Sequence, residues 1–315
     1  RTGTVQLEIG PSVICHVHGD CVKGTRVELW NRLDRAGQGV LIAMPETPTP
    51  QMRDDPQLRA MTSDPKYRRV LITDGRSPNA PALARALKAA GAAAVYVGEA
   101  ETWRPYPERA QLEALGVEFL ALNVTDTASV NRMAAEYGGK VDILINNARF
   151  LRPGGVLARG DTGFARDEIE VNYLGLMRLA QGFGPAMCGR TDDGVNSAVA
   201  WVNILAATSL CNSPEMGCFS ASQAAARGLS QSLRGEFRAS GLRVMNVYVG
   251  PTEDDWHQPL PPPKVAPNAL ARDVIRGLQD GLEDVYCGDV AQDMYLKFQR
   301  DPKVLERELI MGGEV

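Results

Sequence analysis

From Arg68 onward, short apolar runs alternate with helical stretches, and this alternation constrains the fold more than any other feature of the chain. The runs are "RRVLITDG", "AAVYVGE", "EFLALNVTD", "VDILINNA", "AVAWVNIL" and "LRVMNVYVG", with segments such as "APALARALKAAG" between them. Runs this short and rich in Val, Ile and Leu read as strands buried on both faces, whereas apolar positions recurring every three or four residues read as helices. Strand-helix alternation predicts a parallel sheet covered by helices on both faces, a Rossmann-like doubly wound α/β domain spanning residues 67–315.

The first part of the chain has a different period. In "TVQLEI", "SVICHVHGD", "TRVELWN" and "GVLIAMPE", apolar and polar residues alternate, and Gly- and Asp-containing turns separate the segments. This predicts a small β module over residues 1–45. The following "TPTPQMRDDPQ" concentrates proline and charge, so residues 46–66 are expected to be an extended linker.

Composition removes several function classes. A formal net charge of −4, with both signs interspersed, gives no basic stripe for nucleic acid. No apolar run reaches the ~18 residues needed to span a bilayer, and the N-terminus has no basic-then-apolar signal pattern, so no membrane partner and a cytoplasmic location are expected. The six cysteines, Cys15, Cys21, Cys188, Cys211, Cys218 and Cys287, lack C-x-x-C spacing, as expected of reduced thiols rather than a disulfide framework or a zinc site. His16 and His18 alternate on one strand and project from one face, but no further ligand is placed near them, so no metal is expected.

Over residues 68–310 the order of motifs resembles the short-chain dehydrogenase/reductase family: a loop after the first strand of the domain, "NNA" after the fourth, an Asn in the next helix, a "VNI" strand, a helix beginning "SAS", and a Gly-Pro turn after the sixth strand. The resemblance implies an NAD or NADP site whose glycine loop, T-G-x-x-x-G-x-G in the family, falls on Thr73, Asp74, Gly75, Arg76, Ser77, Pro78, Asn79 and Ala80. All three glycine positions are replaced. Such a loop needs glycine for its tight turn, for close backbone approach to pyrophosphate and for helix packing on the strand. Asp74 adds negative charge where phosphates would sit, and Pro78 and Pro81 remove amide donors, although Pro81 alone would be unremarkable in the first turn of a helix. Arg76 could pair with a phosphate, but reads as a solvated loop residue. The family's ribose-holding acid falls at Gly98, with Glu99 one position late, so that it points elsewhere unless a shift of register brings it back, and the Asp near the adenine is Asn123. "NNAG" has become "NNAR", so Arg149 is expected to fill the site, and no cofactor is expected to bind.

The resemblance also implies a catalytic Tyr, a Lys four residues later that lowers its pKa, and a Ser thirteen residues before the Tyr that polarises the substrate oxygen. Those positions are Phe219, Gln223 and Ala206. A phenyl ring has no proton to transfer, a carboxamide carries no positive charge, and a methyl donates no hydrogen bond. Of the family's catalytic positions only Asn172, in "VNYLG", is retained, and it reads as a residue satisfying backbone groups at a helix irregularity.

Three functions follow from these residues. The first is a non-catalytic subunit that pairs with a catalytically complete relative, or with itself, through helices near residues 166–187 and 220–240, with Ala221, Ala224, Ala225 and Gly228 allowing close approach and Leu229, Leu233 and Phe237 supplying apolar area. The second is an enzyme with new groups in the old cleft, drawn from Thr208, Ser209, Glu215, Cys218, Ser220 and Ser222. No base accompanies them, because no His lies in this region; Cys218 reads as a buried small hydrophobe and Glu215 as solvated. The third is a protein that senses a nucleotide, against which the loop counts directly. Substrate choice in the family sits in the loop after the sixth strand, "PTEDDWHQPLPPPKVAPNA", where Trp256 and the prolines are expected to form a stiff lid or a docking surface.

Overall fold

A computed structural model describes residues 2–18, 21–33, 38–46, 62–102, 105–190, 198–255, 257–258, 260 and 262–311. Most of the expected linker and Trp256 lie outside the described residues. The alternating segments form strands β1 (Thr2–Gln6), β2 (Ser12–Val17), β3 (Val27–Leu33) and β4 (Gly39–Pro45), ordered β1-β2-β4-β3. The β1/β2 and β3/β4 pairs are antiparallel, whereas β2 and β4 run parallel. Ile42 and Met44 are buried against Trp30 and Val40. His16 is exposed and His18 buried, and among the described residues no group of three or more His, Cys, Asp or Glu is arranged to hold a metal ion.

The second sheet contains β5 (Arg69–Ile72), β6 (Ala94–Gly98), β7 (Val117–Leu120), β8 (Ile143–Asn146), β9 (Ala200–Ala206), β10 (Arg243–Val249) and β11 (Asp284–Cys287). Their order is β7-β6-β5-β8-β9-β10-β11, and every neighbouring pair is parallel. Strand order reverses between β5 and β8, and loops leaving the carboxyl ends of strands at such a switch point form a crevice. Complete burial of β8 and β9 explains their mostly apolar runs, and the one polar residue inside β9, Asn203, is buried with hydrogen bonds to Trp201, Ser230 and Asn246.

Helices α1 (Ala80–Ala89), α2 (Arg109–Ala114) and α7 (Pro267–Asp280) accompany one face of the sheet. The other face carries α3 (Thr127–Tyr137), α5 (Gly175–Cys188) and α6 (Gly217–Phe237). A short α4 (Gly163–Ile169) runs through a π-helical turn, Glu170–Leu174, into α5, and the chain closes with α8 (Gly288–Arg300) and α9 (Pro302–Ile310). Local chemistry sets several ends: the Asp126 side chain caps α3 by accepting from the Ala128 amide, and Asp301 caps α9. No helix among the described residues is long and apolar enough to cross a membrane.

The two faces of α6 correct the sequence expectation. Leu233 and Phe237 are buried in the domain's own core, Phe237 against Trp201, and Leu229 packs on the same cluster. Leu233 and Phe237 therefore supply no apolar area to an outer surface, and Leu229, half-buried, supplies part of its side chain at most. The outward face carries small or polar residues, Ala221, Gly228, Ser232 and Gly235 among them, and a Cβ added at Gly228 or Gly235 would meet nothing within 4 Å.

Candidate functional site: a cleft closed by its own side chains

At the switch point the chain leaves β5 through Thr73 and Asp74. The Asn147 side chain pins this turn, accepting from the Asp74 amide (2.8 Å) and donating to the Asp74 carbonyl (2.7 Å). Gly75 passes so close to β6 that a Cβ would lie 2.5 Å from Val97, and its amide donates to the Gly98 carbonyl (2.7 Å). Gly98 is equally constrained, since a Cβ there would lie 2.4 Å from the Thr73 carbonyl oxygen. The absence of an acid at position 98 thus has a steric cause.

The Asp74 carboxylate turns back onto its own loop and accepts from the Arg76 amide (2.9 Å). Burial pushes its carboxyl up to about 6, against the opposing pull of the Arg76 and Ser77 amides. Arg76 is not the solvated residue expected from the sequence. Its guanidinium donates to Glu99 Oε1 (2.6 Å) and to the Glu101 (2.7 Å) and Pro105 (3.2 Å) carbonyls. Glu99 does not point elsewhere: only 1% exposed, it also takes Arg109 at 2.6 Å. Asn123 accepts from the Thr125 amide and hydroxyl, closing a local turn. Pro78 is exposed and Ala80 buried at the start of α1.

Arg149, leaving β8, reaches the loop that follows β10. Its guanidinium lies 3.1 Å from Asp254 Oδ2 and 3.3 Å from Thr252 Oγ1. Asp254 also accepts from the Thr252 hydroxyl (2.5 Å), His257 Nδ1 (2.8 Å) and the His257 amide (3.0 Å). Although its burial works the other way, the His257 and Thr252 hydrogen bonds and the nearby Arg149 charge hold the Asp254 carboxyl well below the usual carboxylate range, and burial lowers the Arg149 pKa. The expectation of no His near the old active site is therefore wrong. His257 lies in a turn after β10 that the fold folds back over the cleft, and only the D-x-x-H spacing, which suits an Asp capping a tight turn, hints at the pair in sequence.

The positions that the resemblance gives to the catalytic Ser, Tyr and Lys are packed together. Phe219 is buried with Leu151, Ala206, Met216 and Leu260, and Gln223 Oε1 accepts from the Ala206 amide (2.9 Å). Asn172 lies in the π-helical turn, where its side chain accepts from the Phe150 amide (2.9 Å) and donates to the Phe150 carbonyl (2.9 Å) and Ser222 Oγ (2.8 Å). Those bonds brace the segment after β8. Ser222 donates to the Phe219 carbonyl, and Ser220 accepts from the Ser213 amide. Cys218 is half-buried rather than buried, and Glu215 is exposed. Thr208 Oγ1 and Ser209 Oγ are buried without a hydrogen-bond partner. Above Phe219 a cavity of about 170 Å³ remains, lined by Arg149, Thr208, Glu215 and His257 and by apolar side chains from α6, α8 and α9.

Residues 68–264 match the family profile described as short chain dehydrogenase. The chain is 25% identical over 145 residues to farnesol dehydrogenase of Aedes aegypti, covering 46% of this chain and 58% of that protein. It is 31% identical over 132 residues to oxidoreductase UcpA of Escherichia coli K12, covering 41% and 48%. It therefore spans about half the length of the curated relatives it matches. A crystal structure of a short chain dehydrogenase from Burkholderia cenocepacia J2315 in complex with NADP is 28% identical and superposes with a TM-score of 0.69, over 78% of this chain and 98% of that one. The N-terminal four-stranded sheet lies outside the matched profile. With the profile covering well over half of its length, this chain is a member of the short-chain dehydrogenase family.

Proposed function

We propose that this chain is a non-catalytic member of the family that assembles with, and supports, a catalytically complete relative. The observation that carries the reading is the Asp74 carboxylate on the Arg76 amide, in the loop between β5 and α1 where a Rossmann site presents donors to pyrophosphate. A dinucleotide fits this cleft poorly. An internal carboxylate already takes the Arg76 and Ser77 amides, Glu99 is committed to two arginines, and the Arg149–Asp254 pair bridges the loops after β8 and β10. The packing of Phe219 and Gln223 against Ala206 supports the same reading, because neither side chain can carry a proton between substrate and solvent.

Assembly uses the outward face of α6, where Ala221, Gly228 and Gly235 let a partner helix approach closely, in a pseudo-two-fold arrangement with the partner's equivalent helix. A second reading, a divergent NAD- or NADP-dependent oxidoreductase, is favoured by the NADP complex of the Burkholderia structure.

Calorimetric titration with NADH and NADPH separates the two readings. No saturable binding in the micromolar range is expected, and the triple variant Ala206→Ser, Phe219→Tyr, Gln223→Lys is expected to remain inactive with alcohols, ketones and acyl thioesters. Micromolar binding by the wild-type chain would move the assignment to the second reading. Native mass spectrometry of the chain co-expressed with a Ser-Tyr-Lys relative should give a heteromer; homo-oligomers alone would remove the assembly role.

A further inference from the structure

The cavity above Phe219 is not used by the assembly reading, and its polar end is built in detail. His257 is 4% exposed, lines the cavity, and donates from Nδ1 to the Asp254 carboxylate. That bond fixes the tautomer and orientation of the ring and leaves Nε2, at which no hydrogen bond is made among the described residues. Beside it lie Arg149, already neutralised by Asp254, and Thr208 Oγ1, buried without a partner. The opposite wall is apolar: Phe219, Met216, Leu260, Met294 and Leu309.

We infer that this cavity is a binding site for a small monocarboxylic acid with an unbranched apolar tail, its carboxylate held between His257 Nε2 and Arg149 and its tail lying over Phe219. Charge balance selects this class. Arg149 and Asp254 sum to zero, so an anion entering alone would leave one buried net charge, which is costly. If a proton settles on Nε2, imidazolium and carboxylate form a new pair and the buried set is again neutral. At pH 8 the ligand arrives as its anion, so the proton comes from solution: the buffer acid's bond to hydrogen breaks, Nε2–H forms, and the buffer base is the other product. An alcohol can occupy the same volume but gains only one neutral hydrogen bond, whereas the acid gains charge-assisted ones. Besides Asp254 and Arg149, the charged group facing this space is Glu215, at the exposed edge, where solvent screens its repulsion of an anion.

Size narrows the tail. A cavity of about 150 Å³ accommodates benzene, so about 170 Å³ suits a ligand of roughly eight non-hydrogen atoms. Hexanoate is the probe, with methyl pentanoate, its uncharged isomer, and hexan-1-ol as controls. At this size the dissociation constant should be on the order of 10⁻⁴ M. The site stands or falls independently of whether the heteromer forms.

The test is calorimetry on the full chain at pH 8, repeated in buffers of different ionisation enthalpy. Hexanoate should bind saturably with uptake of about one proton, at least about tenfold more tightly than the ester or the alcohol. His257→Gln should weaken hexanoate by about tenfold or more while leaving the weak alcohol binding unchanged. Leu309→Trp, which fills the apolar end, should abolish binding of all three and keeps the test decisive if the His257 variant folds poorly. The inference is overturned if hexanoate fails to saturate, if the ester matches it, if no proton is taken up, or if binding survives Leu309→Trp.

Discussion

The two sides of the old active site have diverged in opposite ways. On the α6 side, Ala206 and Phe219 each sit where the family keeps one more oxygen, and Gln223 replaces a charge by a neutral group that still reaches the Ala206 backbone. Removing a polar atom from a packed site needs no compensation if the neighbours are apolar, and here they are. On the α1 side, charged residues stand where the family pattern has glycine, Asp74 and Arg149, and Arg76 lies in the loop after Asp74. There the Asp74 carboxylate takes the Arg76 amide, and the guanidinium groups of Arg76 and Arg149 are paired with Glu99 and Asp254. On the proposed reading, one side of the cleft differs by missing groups and the other by groups that pair with one another.

The sharpest way to break this comparison is to empty the refilled side. Asp254→Ala leaves Arg149 buried without its carboxylate and should cost about 3–5 kcal/mol of unfolding free energy, read by urea denaturation. The double variant Arg149→Met, Asp254→Ala should recover much of it. A loss below about 1 kcal/mol for the single variant would mean that solvent reaches the pair and that the refilling contributes little.

The subtracted side should respond less. Gln223→Lys leaves the Ala206 amide without its acceptor and buries an ammonium group, for a cost of about 2 kcal/mol. Phe219→Tyr restores one oxygen beside a cavity and should cost under about 1 kcal/mol. Equal losses for the two would erase the distinction between deleted and replaced chemistry.

Acidity separates the two aspartates. Asp74 has its pKa raised by burial to about 6, so the folded state holds its proton more tightly than the unfolded chain does. Its contribution to stability is fully present below about pH 4 and is lost as the pH rises through about 6. Asp254 has the opposite sign: its contribution is present above the ordinary carboxylate range and is lost as the pH falls into the acid region. Asp74→Asn should therefore be the more stable protein at pH 7.5 by about 1 kcal/mol, a value discounted for the half-buried side chain. The gap should close by about pH 4.5. A pH-independent difference would show that Asp74 is not buried as an anion.

The smallest effect on stability, and the one that tests assembly, is Gly228→Arg on the outward face of α6. It should change the unfolding free energy by no more than about 0.5–1 kcal/mol while preventing heteromer formation in native mass spectrometry. Leu233→Arg cannot serve this purpose, because Leu233 lies in the core and its loss would unfold the domain.

The strand-helix alternation made the doubly wound sheet legible, because a strand buried on both faces is predominantly apolar and a covering helix must repeat every three or four residues. The changes at Ala206, Phe219 and Gln223 were equally legible, since they lie at fixed spacings along two adjoining elements. Other assignments failed because side-chain partners come from distant loops. Arg76 read as solvated until Glu99, 23 residues away, turned out to accept it. His257 read as remote until the loop after β10 brought it to Asp254 and, through Asp254, to Arg149, which is 105 residues from that aspartate.

The sequence by itself determined the order of strands and helices, the family, and that Ala206, Phe219 and Gln223 stand at the spacing the resemblance gives to Ser, Tyr and Lys, because each is a matter of local period or fixed spacing. Only the tertiary structure decided which face of α6 looks outward, which charges occupy the cofactor crevice, and that a histidine stands over the remaining cavity. Those features arise where loops from the ends of separate strands meet. Contacts between loops depend on the register and twist of the sheet that carries them, and no periodicity within a single segment encodes that.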